Sequence, residues 1–460
     1  MKRRNFIKLS LVLSSFALMP KYMEASELVL SDIDFSEDIC NDNAAQTLII
    51  YLYGGASQLS GNLSNLEEIE KYSQNSYADY FNNTLTQTTN LFWKEAGGEE
   101  MEKLIENGDM TLFRTCYSAK REENNNKAHG VCTEENQKGT KDLNAAGILA
   151  NLGQILENHN IINSNSLMPF VSMEGESIFY REGYTPLSAY LKPMGINEKF
   201  DNPYYRNRVR NWYYYTQEER DSAPDTYNKS DEEGGFDPAL TASMDNLAQE
   251  FNTPGDIKNS FEKRVSRDTF MREIATVTTP DLGEDAYPEN DFAKKIETSI
   301  KLLVHNPETK VLTLGTGGLG GWDDHNEARE YIGRMKELFS SLKSAMAHLK
   351  AEEKNNKINI MVFGEFGRNV NLNLSNGWDH GNLQNLFILG GNDYFNHKGV
   401  VGETRLVSEG EVNRLYLKPT EESYWFDPLS IAATLYKIYG IENPEILTDG
   451  NMPIAPLFEA

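Results

Sequence analysis

The chain has 460 residues, 39% of them hydrophobic and 25% charged, which describes a folded protein with room for one large domain carrying insertions or for two ordinary ones. Its 69 acidic residues outweigh 44 basic ones for a formal net charge of −25, which argues against a nucleic-acid partner and leaves either a well-solvated surface or cation binding.

The N-terminus reads as an export signal. Lys2-Arg3-Arg4-Asn5-Phe6-Ile7-Lys8 is a basic lead, Leu9–Met19 is a short apolar stretch, and Ala25 and Ser26 offer a cleavage point. The stretch is too short for a comfortable membrane span, so residues 1–25 are expected to be removed, leaving no transmembrane span in the mature protein. The Arg-Arg-x-Phe-x-Lys order resembles a twin-arginine signal, with Lys2 where Ser or Thr is usual; a standard secretory signal is the alternative. Either route predicts a periplasmic or secreted protein. Residues 26–45 read as a loose lead-in.

Cys40, Cys116 and Cys132 are an odd number, so at most one intrachain bridge forms. Cys116 and Cys132 flank a polar, Asn-rich loop and are the natural pair; three free thiols are the alternative.

Thr47–Tyr53 is a short run, apolar on both faces and ending in Gly54-Gly55, as expected of a central strand in a covered sheet. Similar runs recur at Met110–Thr115, Met168–Ser172, Lys310–Gly315, Ile358–Phe363 and Asn385–Gly390. Helical patterns occupy Asn144–Leu156, Pro428–Tyr439 and residues 330–353, where Ile332, Met335, Leu338, Phe339, Leu342, Met346 and Leu349 share one face. The alternation predicts an α/β fold, a largely parallel central sheet with helices on both faces. Ligand sites in such sheets gather at the carboxyl ends of the strands, where Gly54-Gly55, Gly320-Gly321 and Gly364 fall. From about 174 to 290 the pattern breaks into an acidic, Pro- and Asn-containing span that reads as an insertion, with helix expected near 240–275. Its Tyr204-Tyr205 and Trp212-Tyr213-Tyr214-Tyr215 either pack onto the core or offer a sugar-stacking platform.

Three blocks carry the chemistry: Gly320-Gly321-Trp322-Asp323-Asp324-His325, Gly364-Glu365-Phe366-Gly367-Arg368 and Gly377-Trp378-Asp379-His380-Gly381. Carboxylates and imidazoles gathered at strand ends suit a divalent metal, and one ion needs about four ligands. Asp323, His325, Glu365, Asp379 and His380 are the candidates, with Asp324 facing elsewhere. The competing reading makes the acids helix caps, Asp323 or Asp324 capping the 330–353 helix, and the histidines loop residues.

These blocks resemble the Gly-Gly-Trp-Asp-Thr-His, Ser-Glu-Phe-Gly-Arg and Gly-Thr-Asp-His-Gly motifs of the DUF1501 proteins, secreted members of the alkaline phosphatase-like clan. The resemblance covers most of the mature chain and is densest from 311 to 391. It implies an alkaline phosphatase-like domain over residues 46–460. It also implies divalent metal (zinc, manganese or calcium) at the sheet's C-terminal edge, and hydrolysis of a phosphate or sulfate ester, on a small molecule or glycan, through a covalent ester on Ser, Thr or a modified Cys. Two departures bear on that chemistry. Gly54-Gly55-Ala56-Ser57-Gln58-Leu59 puts Ser57 where the family usually has a ligating Asp. Ala128-His129, standing before Gly139, resembles the family's Ser-His pair, which puts Ala128 at the nucleophile position. His129 and Arg368 are then the catalytic candidates, with His129 either in the cleft or a loop histidine, and with Ser57 or Thr133 as replacement nucleophiles. A non-catalytic envelope protein that binds a ligand or partner on the same fold is the alternative.

Overall fold

The computed structural model describes residues 30–36, 45–72, 77–81, 85–175, 177–183, 185–196, 266–267, 269–316, 319–409 and 414–459. The export signal, Cys40, the aromatic run and nearly all of the helix expected at 240–275 lie outside them.

An eight-stranded sheet organises the chain in the order β4-β3-β5-β1-β6-β7-β2-β8. Its strands are β1 (Gln46–Leu52), β2 (Met110–Cys116), β3 (Phe170–Ser172), β4 (Met194–Gly195), β5 (Val311–Gly315), β6 (Ile358–Gly364), β7 (Gln384–Gly390) and β8 (Gly399–Val401). β1 pairs in parallel with both β5 and β6, and β3 with β4 and β5. β7 runs against both of its neighbours, so β2 and β8 point the same way as β6. The sheet is therefore mixed and mostly parallel. β9 (Thr404–Glu409) and β10 (Arg414–Pro419) form a separate antiparallel hairpin.

The helices that matter below are α1 (Gly98–Glu106), α2 (Ala119–Glu123), α3 (His129–Lys138), α4 (Ile148–Asn158), α5 (Asp291–His305), α6 (Tyr331–Ala351) and α7 (Leu429–Ile438). Side chains alternate across a strand, so β1 sends Leu48, Ile50 and Leu52 into one buried layer and Ile49 and Tyr51 into another. The first layer also holds Met101 of α1, Ile296 of α5 and Leu338 of α6; the second holds Leu152 of α4 and Leu435 of α7. Burial on both faces explains why β1, β5, β6 and β7 read as unbroken apolar runs. The span expected to be an insertion from 174 contributes β4, the edge strand beside β3.

Strand direction positions the site. Leu52, Gly315, Gly364 and Cys116 all end on one edge of the sheet, and because β7 is reversed, its start at Gln384 lies there too. Residues 379–380, just before β7, thus meet the loops that follow β1, β5 and β6. The expected Cys116–Cys132 bridge is not formed: both are buried free thiols, Cys116 at the end of β2 and Cys132 inside α3.

Candidate metal centre

The loop after β1 is held against the loop after β5 by close backbone contact. Trp322 N donates to Tyr53 O at 3.0 Å, and a Cβ on Gly54, whose φ is +103°, would lie 2.6 Å from the Asp323 amide nitrogen. Only glycine tolerates both conditions. The Gly54 N–H in turn donates to Glu365 Oε1 at 2.8 Å, which ties β6 to the same turn.

The tryptophans of two blocks anchor their loops. Trp322 and Trp378 are fully buried with ring centroids 6.2 and 5.1 Å from Tyr331 at the start of α6. Trp378 Nε1 also donates to Tyr77 Oη at 2.9 Å. Asp323 and His325 are left on the outer side of their loop. Asp324 turns inward to pair with Arg334 of α6, and burial, only partly offset by that cation, raises its carboxyl. It faces away from the cleft, as expected.

Arg368, expected as a catalytic group, ties the loops of the site together. Its side chain is buried; Nε donates to Gly55 O at 2.7 Å, Nη1 to Trp378 O at 2.9 Å, and Nη2 to Gly54 O, to Trp322 O at 3.3 Å and to Asp323 Oδ1 at 2.7 Å. These bonds join it to three loop backbones and to one carboxylate of the cluster. Burial works to raise the Asp323 carboxyl, but the Arg368 hydrogen bond and charge, helped by His129 and His325, hold it below the ordinary carboxylate value.

Four side chains converge: His129, Asp323, His325 and His380 each offer one ligand atom, and these atoms all lie within 4.8 Å of one another. Asp323 Oδ1 is 3.5 Å from His129 Nε2 and 3.4 Å from His325 Nε2, close to the edge of a tetrahedron with bonds of about 2.0–2.1 Å. His325 Nε2 and His380 Nε2 are 2.7 Å apart. His380 Nδ1 lies 2.6 Å from Lys127 O, and since a carbonyl only accepts, Nδ1 carries the proton and the neutral ring's Nε2 is a bare lone pair. His129 Nδ1 lies 2.6 Å from Glu365 Oε2, so in the neutral tautomer that donates to this carboxylate Nε2 is the bare nitrogen. That Nε2 is buried with no hydrogen-bond partner. His325 Nδ1 lies 3.5 Å from Asp379 Oδ1, whose other oxygen is 3.1 Å from Arg414 Nη2. Burial, with Arg368, His129 and His325 close by, pushes His380 down to about 4, so it stays neutral. An orphaned imidazole nitrogen beside two others and a carboxylate is a donor set that could hold a metal ion.

Of the residues expected as ligands, Asp323, His325 and His380 meet in the cluster, while Glu365 and Asp379 stand behind two of the imidazoles. His129, for which cleft and loop positions were both open, joins the cluster through its position at the start of α3. Ser57 Oγ accepts from Leu59 N at 3.4 Å and caps a short 3-10 turn. Ala128 is the N-cap of α3 and makes no side-chain capping bond. The Lys127 carbonyl left no signal in sequence, since any residue supplies one.

Fold and site define an α/β protein with a potential metal-coordinating cluster at the carboxyl edge of its sheet. The chain belongs to the family described as "Protein of unknown function (DUF1501)", whose model matches residues 44–414. No curated protein matches the chain significantly. Among solved structures it is similar to one described as "Crystal structure of Ps i-CgsB in complex with k-i-k-neocarrahexaose", at 10% identity, over 90% of this chain and 76% of that one, with a TM-score of 0.37. So loose a likeness carries no argument about this chain's substrate. Among the described residues no helix is long and apolar enough to cross a membrane.

Proposed function

We propose that this chain is an exported, metal-dependent hydrolase of phosphate or sulfate esters, working at a one-ion site held by His129, Asp323, His325 and His380. The observation that carries the reading is the set of three imidazoles and a carboxylate facing one point, with each imidazole's outer nitrogen turned to an acceptor. Three nitrogens and one oxygen favour zinc over calcium, which takes six to eight oxygens, and over manganese, which also prefers oxygen ligands. When bound, such an ion supplies a Lewis acid for the ester oxygens and lowers the pKa of water.

The chain's own residues set the rest. Glu365, Asp379 and the Lys127 carbonyl fix tautomer and ring direction, and Arg368 holds Asp323 in place while keeping it ionised. Ala128 and the capped Ser57 supply no nucleophile at the cluster, which favours direct attack by water: water adds its oxygen to phosphorus or sulfur, and the ester oxygen leaves with a proton as the alcohol. The same two residues support a second reading, a binding protein that keeps the ion and has lost turnover.

Metal analysis of the purified mature chain, with aryl phosphate and aryl sulfate assays in added zinc or manganese, tests both. Bound metal and turnover lost in His380→Ala but kept in Ser57→Ala are expected. Metal without turnover would leave the binding protein; no metal, no turnover and no metal-induced melting shift would end both.

A further inference from the structure

His380 comes from the loop before β7, and the Lys127 carbonyl that its Nδ1 faces at 2.6 Å is backbone of the loop between α2 and α3. A carbonyl on a loop directs a ring only if the loop itself is held. Glu122, near the end of α2, supplies the tie. Its Oε1 lies 2.9 Å from Lys418 Nζ, and its Oε2 accepts from Asn382 Nδ2 at 3.0 Å and lies 3.7 Å from Lys127 Nζ. Asn382 Nδ2 also donates to Ser118 O at 2.7 Å, just before α2. One carboxylate thus joins the residue whose carbonyl faces His380, the residue two beyond His380, and the hairpin strand β10. Burial works to raise the Glu122 carboxyl, but the Lys418 bond, the Lys127 charge and the Asn382 bond hold it below the ordinary carboxylate value, so it stays ionised.

β10 supplies the other half of the brace. Side chains alternate along a strand, and Leu415 and Leu417 are buried in the first layer, which places Arg414, Tyr416 and Lys418 together on the opposite face. Lys418 holds Glu122, and Lys127 Nζ stands 4.8 Å from the centroid of the Tyr416 ring in a cation–π contact. Arg414 holds Asp379, which stands behind His325. One face of one strand therefore backs two of the three imidazoles through intermediaries. With Lys127 held, its carbonyl keeps the His380 proton on Nδ1 and leaves Nε2 a lone pair. Released, the neutral ring can carry its proton on either nitrogen, and the form protonated at Nε2 has no lone pair for the cluster.

We propose that Glu122 is a positioning residue of the centre: by locking the Lys127 carbonyl and the 380–382 segment to β10, it sets which nitrogen of His380 faces the cluster. What this does for an ion rests on the metal reading above; the direction of the ring does not. The test is nitrogen NMR of the imidazoles in the full mature chain in EDTA, with the His380 signals identified by their loss in His380→Asn, followed by zinc affinity from chelator competition. The parent is expected to carry the His380 proton on Nδ1. In Glu122→Gln, and in the milder Lys127→Met, which keeps the carbonyl but cuts its tie, a form protonated at Nε2 is expected to appear. Zinc affinity is expected to fall about tenfold in both, the lower end of losses behind metal-bound imidazoles. Glu123→Gln, at an exposed neighbour on the same turn, is expected to change neither. A parent protonated at Nε2, or both variants holding the Nδ1 form, overturns the proposal. So does a loss of affinity with the tautomer unmoved, which would make Glu122 a packing residue. A tautomer shift in a chain that binds no zinc sustains the positioning role and ends the metal reading; zinc binding with the tautomer unmoved does the reverse.

Discussion

Replacing Glu365 with Gln tests the carboxylate that stands behind the His129 ring. Glu365 faces two donors, the Gly54 N–H at Oε1 and His129 Nδ1–H at Oε2. A carboxylate accepts from both; a carboxamide accepts on one side and donates on the other. With its oxygen toward His129, the new amide would point N–H at N–H across the Gly54 contact and loosen the turn that abuts Asp323. Turned round, it would present N–H to His129 Nδ1 and force the proton onto Nε2, which removes that ring's lone pair from the cluster. Either orientation weakens the site, and losses behind a metal-bound imidazole run to about 10–100-fold in affinity, or roughly 1.4–2.8 kcal/mol. Zinc affinity measured by chelator competition is expected to fall by that factor in Glu365→Gln. Nitrogen NMR of the imidazoles would report which orientation wins. Affinity within twofold of the parent would refute the tautomer argument and reduce Glu365 to a packing residue.

Glu174 gives a pH signature of stability. Its carboxyl is raised by burial to about 7, above the ordinary 4.5, so between those values the folded chain holds a proton that the unfolded chain has released. Stability is fully present below about pH 4.5 and is lost as pH rises through 7, so Glu174→Gln is expected to raise the melting temperature above pH 7 and change it little near pH 4.5; an offset independent of pH would show the carboxyl to be solvated. Gly54→Ala forces a Cβ to 2.6 Å from Asp323 N at positive φ, and a loss of about 1–3 kcal/mol in denaturant unfolding is expected, with zinc affinity falling alongside.

Much of this was legible because the physics is local. β1, β2, β5, β6 and β7 are buried on both faces and announce themselves as apolar runs. Asp323 and His325 follow such a run directly. The reversal of β7 was not legible, since nothing in Gln384–Gly390 distinguishes the two directions, and it is this reversal that puts His380 at a strand's start. The division between Asp323, which meets the imidazole nitrogens, and Glu365 and Asp379, which stand behind the rings, depends on a few ångströms of loop geometry. α5 was missed, although it begins just past the span read as an insertion up to 290 and Asn290 caps it by accepting from Ala293 N at 2.8 Å. Glu174 left one faint signal, a Glu-Gly pair just beyond the end of β3.

Arg368 makes the geometry of the cluster a property of the chain itself. The guanidinium gathers carbonyls from the loops at 54–55, 322 and 378, and it shares Asp323 with whatever occupies the cleft. The three loops are thus latched by a cation the chain carries in its own sequence. If the cluster holds metal, a chelator is therefore expected to remove it while the domain stays folded, with the unfolding transition kept in EDTA as the check.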